Sequence, residues 1–391
     1  MDDQMLRTLV DAQKEWVIDL RRKLHRIPED GFKEFKTQQV IIDVLRELDI
    51  PYVTERTWVI AVIDGAYPGE TVAIRADMDG LPLNEPDGCT FRSEHPGMMH
   101  ACGHDAHVAM ALGAAKVLKH LQKELHGKVK FLFQPAEETC GGAEPMVQAG
   151  AMENPHVDRV YGLHVMPYLP VGQIETRSGT LNASTDSVQL TIQGKSGHGA
   201  YPDQGTDAIV CAAHLITALQ TIVARNVSPL NSAVLTLGTI QGGSAQNIIC
   251  DAVKIRGTLR TANAELRAFM KQRITEISHG VAAAMNCTID TQIIPGYAAL
   301  VNNSIEAERI KRIAGRLLGK ENVFEKAVPS MGGEDFSFFC DCTPGAFFHV
   351  GCSKPEWLPA PPLHSKDFRI DEDCLAIGTL MHAALALDVL M

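Results

Sequence analysis

Three apolar segments that predict buried strands each end on side chains that are able to bind metal. In an α/β sheet the chemistry concentrates at the carboxyl ends of the strands, so we expect these side chains along one edge of one sheet. This repetition constrains the fold more than any other feature of the sequence. The strands and their terminal side chains are Thr71–Ala76 with Asp77 and Asp79, Val129–Phe133 with Glu137 and Glu138, and Val157–His164 with His164 itself.

Each of these endings also has an ordinary structural interpretation. Asp77 and Asp79 would form a polar turn after the strand, with an aspartate capping the loop. Adjacent glutamates are usually a solvated pair, but Glu137 and Glu138 follow a strand that is predicted to be buried, which disfavours solvation. The argument for a functional edge therefore rests on the recurrence and not on any single ending.

The densest group of such side chains is Met99–His107, which holds one cysteine, three histidines and one aspartate. Cys102 and His104 flank a glycine just before the apolar helical pattern Val108–Leu121. A turn at a helix start can aim a thiolate and an imidazole at one point, while the helix holds them in position. The structural alternative is a histidine-rich helix start with Asp105 as the N-cap and the cysteine as a small buried residue. A short cluster leaves both interpretations open.

Length and charge narrow the class of protein. A chain of 391 residues exceeds one ordinary core and predicts two domains. The net charge of −11 argues against nucleic acid and anionic membranes as partners, because both select basic surfaces. We expect that no run is long and apolar enough to span a bilayer. The ten cysteines are scattered through the chain, which indicates free thiols and a cytoplasmic protein.

The order of predicted elements indicates a domain inserted into another. Residues 1–184 and 295–391 predict an α/β domain whose mixed sheet has helices on both faces. Residues 185–294 follow the order β-α-β-β-α-β, which is typical of a ferredoxin-like α+β domain. The elements predicted in the insertion are strands Ser187–Gln193, Ala233–Ile240, Asn247–Arg260 and Thr288–Ile294 and helices Thr206–Ala224 and Ala264–Ala284.

The outer domain takes its remaining elements from both ends of the chain. Apolar residues at helical spacing predict its helices, and short apolar runs predict its strands. The helices are Asp2–Leu24, Glu34–Leu48, Ile305–Leu318 and Asp373–Leu387, and the further strands are Val53–Thr57, Val59–Ile63 and Gly345–Val350.

Nine short motifs, spread over nearly the whole chain, together resemble the amidohydrolase branch of the M20 metallopeptidase family. That branch includes N-acyl-amino-acid amidohydrolases, hippurate hydrolases, N-acetyldiaminopimelate deacetylases and plant auxin-conjugate hydrolases. Any one motif is weak, but their set and order are specific. They are Arg75–Pro82, His100–Asp105, Gln134–Glu138, Gly162–His164, Gly197–Pro202, Asn247–Ile249, Gly257–Arg260, Gly333–Phe336 and Leu363–His364.

The resemblance implies a centre of two divalent metal ions in each subunit. Its ligands would be Cys102, His104, Glu138, His164 and His364. We expect the cysteine to bridge, the glutamate and the last histidine to bind one ion, and the other two histidines to bind the second. Such a mixture of sulfur, nitrogen and oxygen ligands suits Zn²⁺ or Mn²⁺, with Co²⁺ or Ni²⁺ as alternatives.

This chain departs from the wider family at two of those positions. Many relatives have His-x-Asp where this sequence has Asp77-Met78-Asp79, so the imidazole expected there is absent. We expect His104 to supply it. Cys102 likewise occupies the position of the usual bridging aspartate. These departures affect how the ligands divide between the two ions more than they affect which residues are ligands.

The resemblance also implies roles for five further residues. Glu137 would be the general base, and Asp79 would orient a ligand from behind the centre. His198 would donate to the oxyanion across a dimer interface, while Asn247 and Arg260 would bind the carboxylate of the substrate. Without the resemblance, the last three would be a surface-loop histidine, a turn residue and a surface charge on a strand. Both interpretations of these three stay open on the residues alone.

These implications add up to one preferred function and two alternatives. We expect a metal-dependent amidohydrolase that cleaves the amide bond of small N-acyl amino acids, of the aminoacylase or deacetylase type. The resemblance further implies that the inserted domain is a lid and joins two subunits in a homodimer. A metallo-carboxypeptidase or dipeptidase with the same centre is the first alternative. A non-catalytic binding protein is the second, although such relatives usually lack a ligand or the base, and this chain lacks neither.

Overall fold

Two β-sheets organise the chain, each within its own unit of structure. The computed structural model describes residues 2–391. The first unit comprises residues 2–181, 301–327 and 335–391, and the second comprises residues 182–300 and 328–334. The assignment of residues 1–184 and 295–391 to a catalytic domain and of residues 185–294 to a lid stays a prediction.

The described residues form ten α-helices and sixteen strands. The helices are α1 (Asp3–Asp11), α2 (Lys14–His25), α3 (Phe35–Glu47), α4 (His104–His120), α5 (Ala143–Gln148), α6 (Ala208–Thr221), α7 (Ala264–Ala284), α8 (Ser304–Leu318), α9 (Ser337–Cys340) and α10 (Asp373–Leu390). The strands are β1 (Tyr52–Glu55), β2 (Trp58–Asp64), β3 (Tyr67–Asp77), β4 (His126–Gln134), β5 (Arg159–Pro170), β6 (Ile174–Thr176), β7 (Gly179–Asn182), β8 (Ser184–Gln193), β9 (Gly197–His198), β10 (Ala233–Gly242), β11 (Ile248–Ile249), β12 (Ala252–Thr261), β13 (Thr288–Pro295), β14 (Leu300–Asn302), β15 (Val323–Glu325) and β16 (Gly345–Ser353).

The first unit contains a mixed sheet of eight strands in the order β1-β2-β4-β3-β5-β16-β6-β15. Its four central strands, from β4 to β16, run parallel to one another. All nine residues of β16 are buried, as expected for a parallel strand that is covered on both faces. The predicted α/β class with a mixed sheet is therefore confirmed, and the parallel centre brings the carboxyl ends of three predicted strands to one edge.

The second unit contains an antiparallel sheet in the order β10-β12-β8-β13. Helices α6 and α7 pack on it, and their apolar side chains form one core with those of β8 and β12. With β8 as the first strand of the unit, this is the β-α-β-β-α-β arrangement, so the ferredoxin-like prediction is confirmed. A separate short ribbon pairs β9 with β11.

Three predicted elements differ from the structure in their bounds. The single helix predicted over Asp2–Leu24 is two helices, α1 and α2, because the apolar spacing continues through the break at Ala12 and Gln13. The strand predicted over Asn247–Arg260 is divided into β11 and β12. Helix α4 begins at His104, earlier than its apolar pattern, because the first turn is polar yet buried.

Two helical segments are long and apolar enough to match a membrane span by length and composition alone, namely Ala208–Asn226 and Asp373–Leu390. The expectation that no run reaches this length is therefore wrong as a statement about composition. Of the second segment, 72% of the apolar window is buried inside the structure, and of the first, 33%. A core helix passes the same test, so the two segments are weak evidence for a membrane protein.

Helix α4 lies at the centre of the first core and is buried along nearly its whole length. Gly113 lies where α4 meets α2 and α10. A Cβ added there would lie 2.8 Å from Val17 Cγ2 and 2.8 Å from Thr379 Oγ1, much closer than atoms pack in a protein interior. Both neighbours are β-branched and have few alternative rotamers. The glycine therefore allows three helices to approach closely.

We predict that Gly113→Ala lowers the free energy of unfolding by about 1–3 kcal/mol, because the added methyl group overpacks this contact. Gly280→Ala in α7 is the matched control, since a Cβ there meets nothing within 4 Å. The control should stabilise its helix by about 0.5–1 kcal/mol through helix propensity alone. Thermal unfolding followed by circular dichroism would test the pair, and equal shifts of the two variants would contradict the packing argument.

Candidate metal centre

The candidate centre lies at the carboxyl edge of the central strands of the first unit. Strand β3 ends at Asp77, β4 ends at Gln134, and β5 carries His164, and these strands are neighbours in the order β4-β3-β5. Asp79 follows β3, and Glu137 follows β4. The parallel register therefore brings together side chains that lie far apart in the sequence.

The segments that carry these side chains turn through left-handed backbone. Gly103, which precedes α4 as its N-cap, has φ of 87°, and an added Cβ would lie 2.4 Å from Val165 Cγ2. Asp105 is therefore not the N-cap. Ala136 and His364 have φ of 57° and 60°, although neither is a glycine. Such strained residues persist only where the surrounding structure fixes them, and they concentrate at functional sites.

The first group of ligand atoms belongs to Cys102, His104 and His164. All three side chains are buried, and their ligand atoms lie within 4.8 Å of one another. The Sγ atom of Cys102 is 3.2 Å from Nε2 of His164. The Nε2 atom of His104 is buried and has no hydrogen-bond partner in the described residues. This set of one thiolate and two imidazoles matches the preferences of Zn²⁺ and similar ions.

The second group consists of Cys102, Glu138 and His364, so the cysteine belongs to both groups. The Nε2 atom of His364 lies 2.8 Å from Oε1 of Glu138. That oxygen is buried, yet it makes no hydrogen bond of acceptable geometry in the described residues. Both atoms also lie within 4.8 Å of the Cys102 thiol, as expected if all three are ligands of one ion.

Neighbouring acceptors leave Nε2 of two histidines available as a ligand. Asp79 Oδ1 lies 3.1 Å from Nδ1 of His104, and the backbone oxygen of Val165 lies 2.7 Å from Nδ1 of His164. A carbonyl or carboxylate acceptor keeps the proton on Nδ1, which is the usual arrangement behind a metal-binding imidazole. The second carboxylate oxygen of Asp79 accepts a hydrogen bond of 3.0 Å from the backbone N–H of Glu138. Asp79 thus holds two of the predicted ligands.

Glu137 is buried next to these ligands. One of its carboxylate oxygens forms a third group with the ligand atoms of His104 and Glu138, again within 4.8 Å. It comes directly after the left-handed Ala136, which turns the chain sharply beyond β4. The backbone therefore directs the two adjacent glutamates to different positions beside the same centre.

The electrostatics of the group favour cations. Burial raises the pKa of the Cys102 thiol well above its ordinary value, and the nearby Glu138 carboxylate raises it further. Burial lowers the pKa of His104, but the carboxylates of Asp77, Asp79 and Glu138 outweigh that effect and raise it to about 10. Buried negative charge thus contributes to both shifts, although burial itself is the largest cause of the shift at Cys102.

The residues present fit a pair of divalent cations. The donor set combines one thiol, three imidazoles and carboxylates, two of its polar atoms are buried without hydrogen-bond partners, and its charges are unbalanced. Cys102, His104, Glu138, His164 and His364 would hold the ions. The structure brings these five side chains together, while their roles as ligands and their division between the ions stay predictions.

A buried network behind the ligands was not predicted from the sequence. The Arg75 guanidinium is fully buried and donates hydrogen bonds to Asp77 Oδ2 at 2.7 Å, to Asp335 Oδ1 at 2.9 Å and to Gln134 Oε1 at 2.8 Å. His107 Nδ1 lies 2.6 Å from Asp77 Oδ1. The available signal was an arginine within an apolar strand, because a buried cation requires partners.

The same network explains why His107 is not among the ligands. Its Nδ1 faces Asp77, and its Nε2 accepts a hydrogen bond of 3.0 Å from the backbone N–H of Val165. Both ring nitrogens are therefore occupied. His107 lies three residues after His104 on α4, and its contacts hold Asp77 and the backbone of β5 behind the ligands.

Three predicted site residues lie in the second unit. The ribbon of β9 and β11 brings His198 beside Asn247, since His198 pairs with Ile248 and the N–H of Gly199 donates to the carbonyl of Asn247 at 2.8 Å. Arg260 lies on β12, outside this ribbon, and burial lowers the pKa of its guanidinium. The catalytic and substrate-binding roles of these residues stay predictions.

Comparison with known proteins identifies the class. Residues 73–388 match the model of peptidase family M20/M25/M40. An N-acetyldiaminopimelate deacetylase of Halalkalibacterium halodurans is 41% identical over 339 residues, which cover 86% of this chain and 90% of that protein.

Two solved structures are similar over nearly their whole length. One is a provisionally described aminohydrolase from methicillin-resistant Staphylococcus aureus, with a TM-score of 0.95, 33% identity and full coverage of both chains. The other is the Bacillus subtilis YXEP protein, a dinuclear metal-binding peptidase of the M20 family. Its TM-score is 0.85 at 33% identity, with 97% of this chain and 99% of that chain covered.

The chain belongs to the M20 peptidase family. It is a metal-dependent hydrolase that acts on linear amide bonds, so the resemblance stated from the sequence motifs is confirmed.

A further buried acid, Glu34, fixes the turn that carries Glu137. Its Oε1 accepts a hydrogen bond of 2.9 Å from the N–H of Ala136, and its Oε2 accepts one of 2.7 Å from the hydroxyl of Thr57. Burial raises the pKa of Glu34 to about 7, although the Thr57 hydroxyl lowers it in part. The folded protein therefore binds this proton more tightly than the unfolded chain does.

We predict that Glu34 makes the first unit less stable as the pH rises from about 4.5 to about 7, because the unfolded chain releases the proton first. At about 1.4 kcal/mol per pKa unit, the full effect is about 3 kcal/mol. Glu34→Gln should remove that loss, so the free energy of unfolding of the variant should rise relative to that of the wild type between pH 5 and pH 8. Denaturant midpoints of both proteins at pH 5 and pH 8 measure this relative change in stability. Glu47→Gln, on the exposed face of α3, is the control. The prediction would be refuted if the difference in stability between the wild type and Glu34→Gln were the same at pH 5 and at pH 8.

Proposed function

We propose that this enzyme removes the acyl group, in particular an acetyl group, from small N-acylated amino acids. The observation that carries the proposal is the pair of ligand groups that share Cys102, with Glu137 buried beside them. The choice of an acetyl group is supported by the relatives, because proteins about 40% identical to this chain are N-acetyldiaminopimelate deacetylases.

In this proposal Cys102 would help to hold both of two divalent ions, because it belongs to both groups of ligand atoms. Glu138 and His364 complete one set of ligands, and His104 and His164 complete the other, as the two groups around the cysteine suggest. When bound, such ions supply Lewis-acid activation of water and of the scissile carbonyl. Zn²⁺ or Mn²⁺ suits these donors, and Co²⁺ or Ni²⁺ is an alternative.

Glu137 takes the proton from the attacking water and delivers it to the departing amine. A carboxylate is suited to this work when it lies beside the centre without serving as a ligand, and when burial keeps bulk water away from it. Asp79 keeps Nε2 of His104 available and holds the backbone of Glu138, so its role is to position ligands. The two adjacent glutamates thus divide metal binding and proton transfer between them.

The second unit supplies the remaining roles in this proposal. His198 donates a hydrogen bond to the oxyanion that forms during attack. Arg260 and Asn247 bind the free carboxylate of the amino acid, to which a guanidinium is well matched. We further propose a homodimer formed through the inserted domain. We also propose a cytoplasmic location, which the ten free cysteines favour.

A metallo-carboxypeptidase or dipeptidase with the same centre is the second candidate. The specific observation in its favour is the 33% identity to the Bacillus subtilis dinuclear metal-binding peptidase. Both candidates need the same ions and the same base, so they differ only in the group on the acyl side of the amide bond. Substrates therefore distinguish them better than variants of the centre do.

We predict that metal-loaded enzyme releases free amino acid from N-acetyl amino acids, including N-acetyldiaminopimelate, faster than from dipeptides. The reason is that an acetyl group presents no amine or side chain on the acyl side of the bond. The measurement compares kcat/KM across N-acetyl and N-benzoyl amino acids and dipeptides, with protein stripped of metal and reloaded with Zn²⁺ or Mn²⁺. A clear preference for dipeptides would reject the deacetylase and favour the second candidate.

We predict that Glu137→Gln lowers kcat by about 10²–10⁴-fold, because the amide cannot accept the proton of the water. The variant should still bind two ions, as measured by metal analysis, since Glu137 is not one of the proposed ligands. Glu144→Gln in α5 is the control, because that side chain is exposed. Turnover at the wild-type rate, or loss of one ion from Glu137→Gln, would contradict the role given to this residue.

A further inference from the structure

A second cluster of metal-binding side chains lies in the first unit, away from the ligands described above. His25 ends α2, and Glu85 and Cys89 lie in the segment between β3 and α4. Their ligand atoms lie within 4.8 Å of one another, His25 and Glu85 are buried, and Cys89 is partly exposed. The cluster lines a cavity of about 580 Å³. Nothing in the proposed reaction uses these side chains.

The imidazole of His25 lies between two carboxylates. Its Nδ1 is 2.7 Å from Asp105 Oδ2, and its Nε2 is 3.0 Å from Glu85 Oε1. Asp105 also forms an ion pair of 2.8 Å with the Nε atom of Arg21, which favours the ionised carboxylate. The Nη2 atom of Arg21 also lies 3.2 Å from Nδ1 of His25, so this side of the ring faces both a donor and a carboxylate. A buried carboxylate behind an imidazole is the usual support of a metal ligand.

The remaining contact, between Nε2 of His25 and Oε1 of Glu85, depends on which ring nitrogen carries a proton. A proton on Nε2 is donated to the carboxylate. With the proton only on Nδ1, a lone pair faces the carboxylate oxygen, and a cation between the two atoms satisfies both. The thiol of Cys89 lies within 4.8 Å of the same carboxylate. Glu85 itself is held by a hydrogen bond of 2.7 Å from the N–H of Ser93 to Oε2.

We propose that His25, Glu85 and Cys89 bind a further divalent cation of the Zn²⁺ type, through Nε2, a carboxylate oxygen and Sγ. Binding releases the proton of the thiol to solvent and leaves the ring with one proton, on Nδ1 facing Asp105. A ring that starts as imidazolium releases its Nε2 proton to solvent as well. The thiolate and the carboxylate then balance the two charges of the ion. One imidazole, one thiolate and one carboxylate leave a fourth tetrahedral position for water, and the cavity provides the space for it. The proposal goes beyond the amide hydrolysis and does not depend on it.

The test measures protection of Cys89 from alkylation. Metal-loaded enzyme is treated with iodoacetamide, with and without micromolar ZnCl₂, and the modification of each cysteine is followed by mass spectrometry of its peptide. We expect Zn²⁺ to slow the modification of Cys89 at least tenfold and to leave that of the exposed Cys140 unchanged. Equal rates for Cys89 with and without Zn²⁺ would overturn the proposal and leave a hydrogen bond from His25 to Glu85 at this position.

Two variants separate this site from simple binding of Zn²⁺ to a thiol. Glu85→Gln keeps Cys89 but removes a ligand, so protection should be lost. Glu94→Gln is the matched control, because its side chain is 63% exposed and should leave protection intact. If Glu85→Gln retains full protection, the proposed ligand set is wrong.

Metal analysis gives a second measurement that does not depend on alkylation. The wild type and Cys140→Ser should bind one more equivalent of Zn²⁺ than Cys89→Ser does. All three proteins should hydrolyse amides equally well, because Cys89 lies outside the proposed catalytic centre. The same Zn²⁺ content in Cys89→Ser and the wild type would overturn the proposal, whatever substrate the enzyme prefers.

Discussion

The ion pairs of Arg75 are the interaction on which the carboxyl edge of the first sheet depends. Its guanidinium is fully buried between Asp77 and Asp335, and removal of such a partner leaves buried charges that cost several kcal/mol, on the order of 3–5. Each carboxylate then fixes a different part of the structure. Asp77 holds His107 on α4, and Asp335 accepts hydrogen bonds from the backbone between β4 and α5. One cation therefore joins the ends of β3 and β4 to the segments that follow them.

Arg75 does not balance all of the negative charge at this edge. Asp79, Glu137 and Glu138 add three carboxylates, and they raise the pKa of the His104 imidazole or of the Cys102 thiol. A site of this kind is costly to fold without cations, so metal binding and folding are coupled. The centre has more carboxylates than the ions need as ligands, so one carboxylate is left to accept a proton. In the proposed mechanism Glu137 can therefore remain a base while Glu138 serves as a ligand.

The sequence allowed us to predict the strands that carry the site, but not the contacts behind it. Strand ends are local features, and apolar runs followed by acids or histidine mark them directly. The pairing of Arg75 with Asp335 joins residues that are 260 positions apart, and no local pattern contains that information. Small elements such as β6 and β15 were missed for a similar reason. They have three residues each and exist because neighbouring strands provide hydrogen-bond partners.

The start of α4 connects the candidate centre with the cluster around His25. His104 and Asp105 are consecutive residues of one helical turn, so their side chains point in directions about 100° apart. His104 directs Nε2 toward the shared cysteine, while Asp105 directs its carboxylate to Nδ1 of His25. Both sites thus use a carboxylate behind an imidazole, and both depend on the position of the same helix. Because the core fixes α4 along its length, one packed element sets the geometry of two groups of ligands.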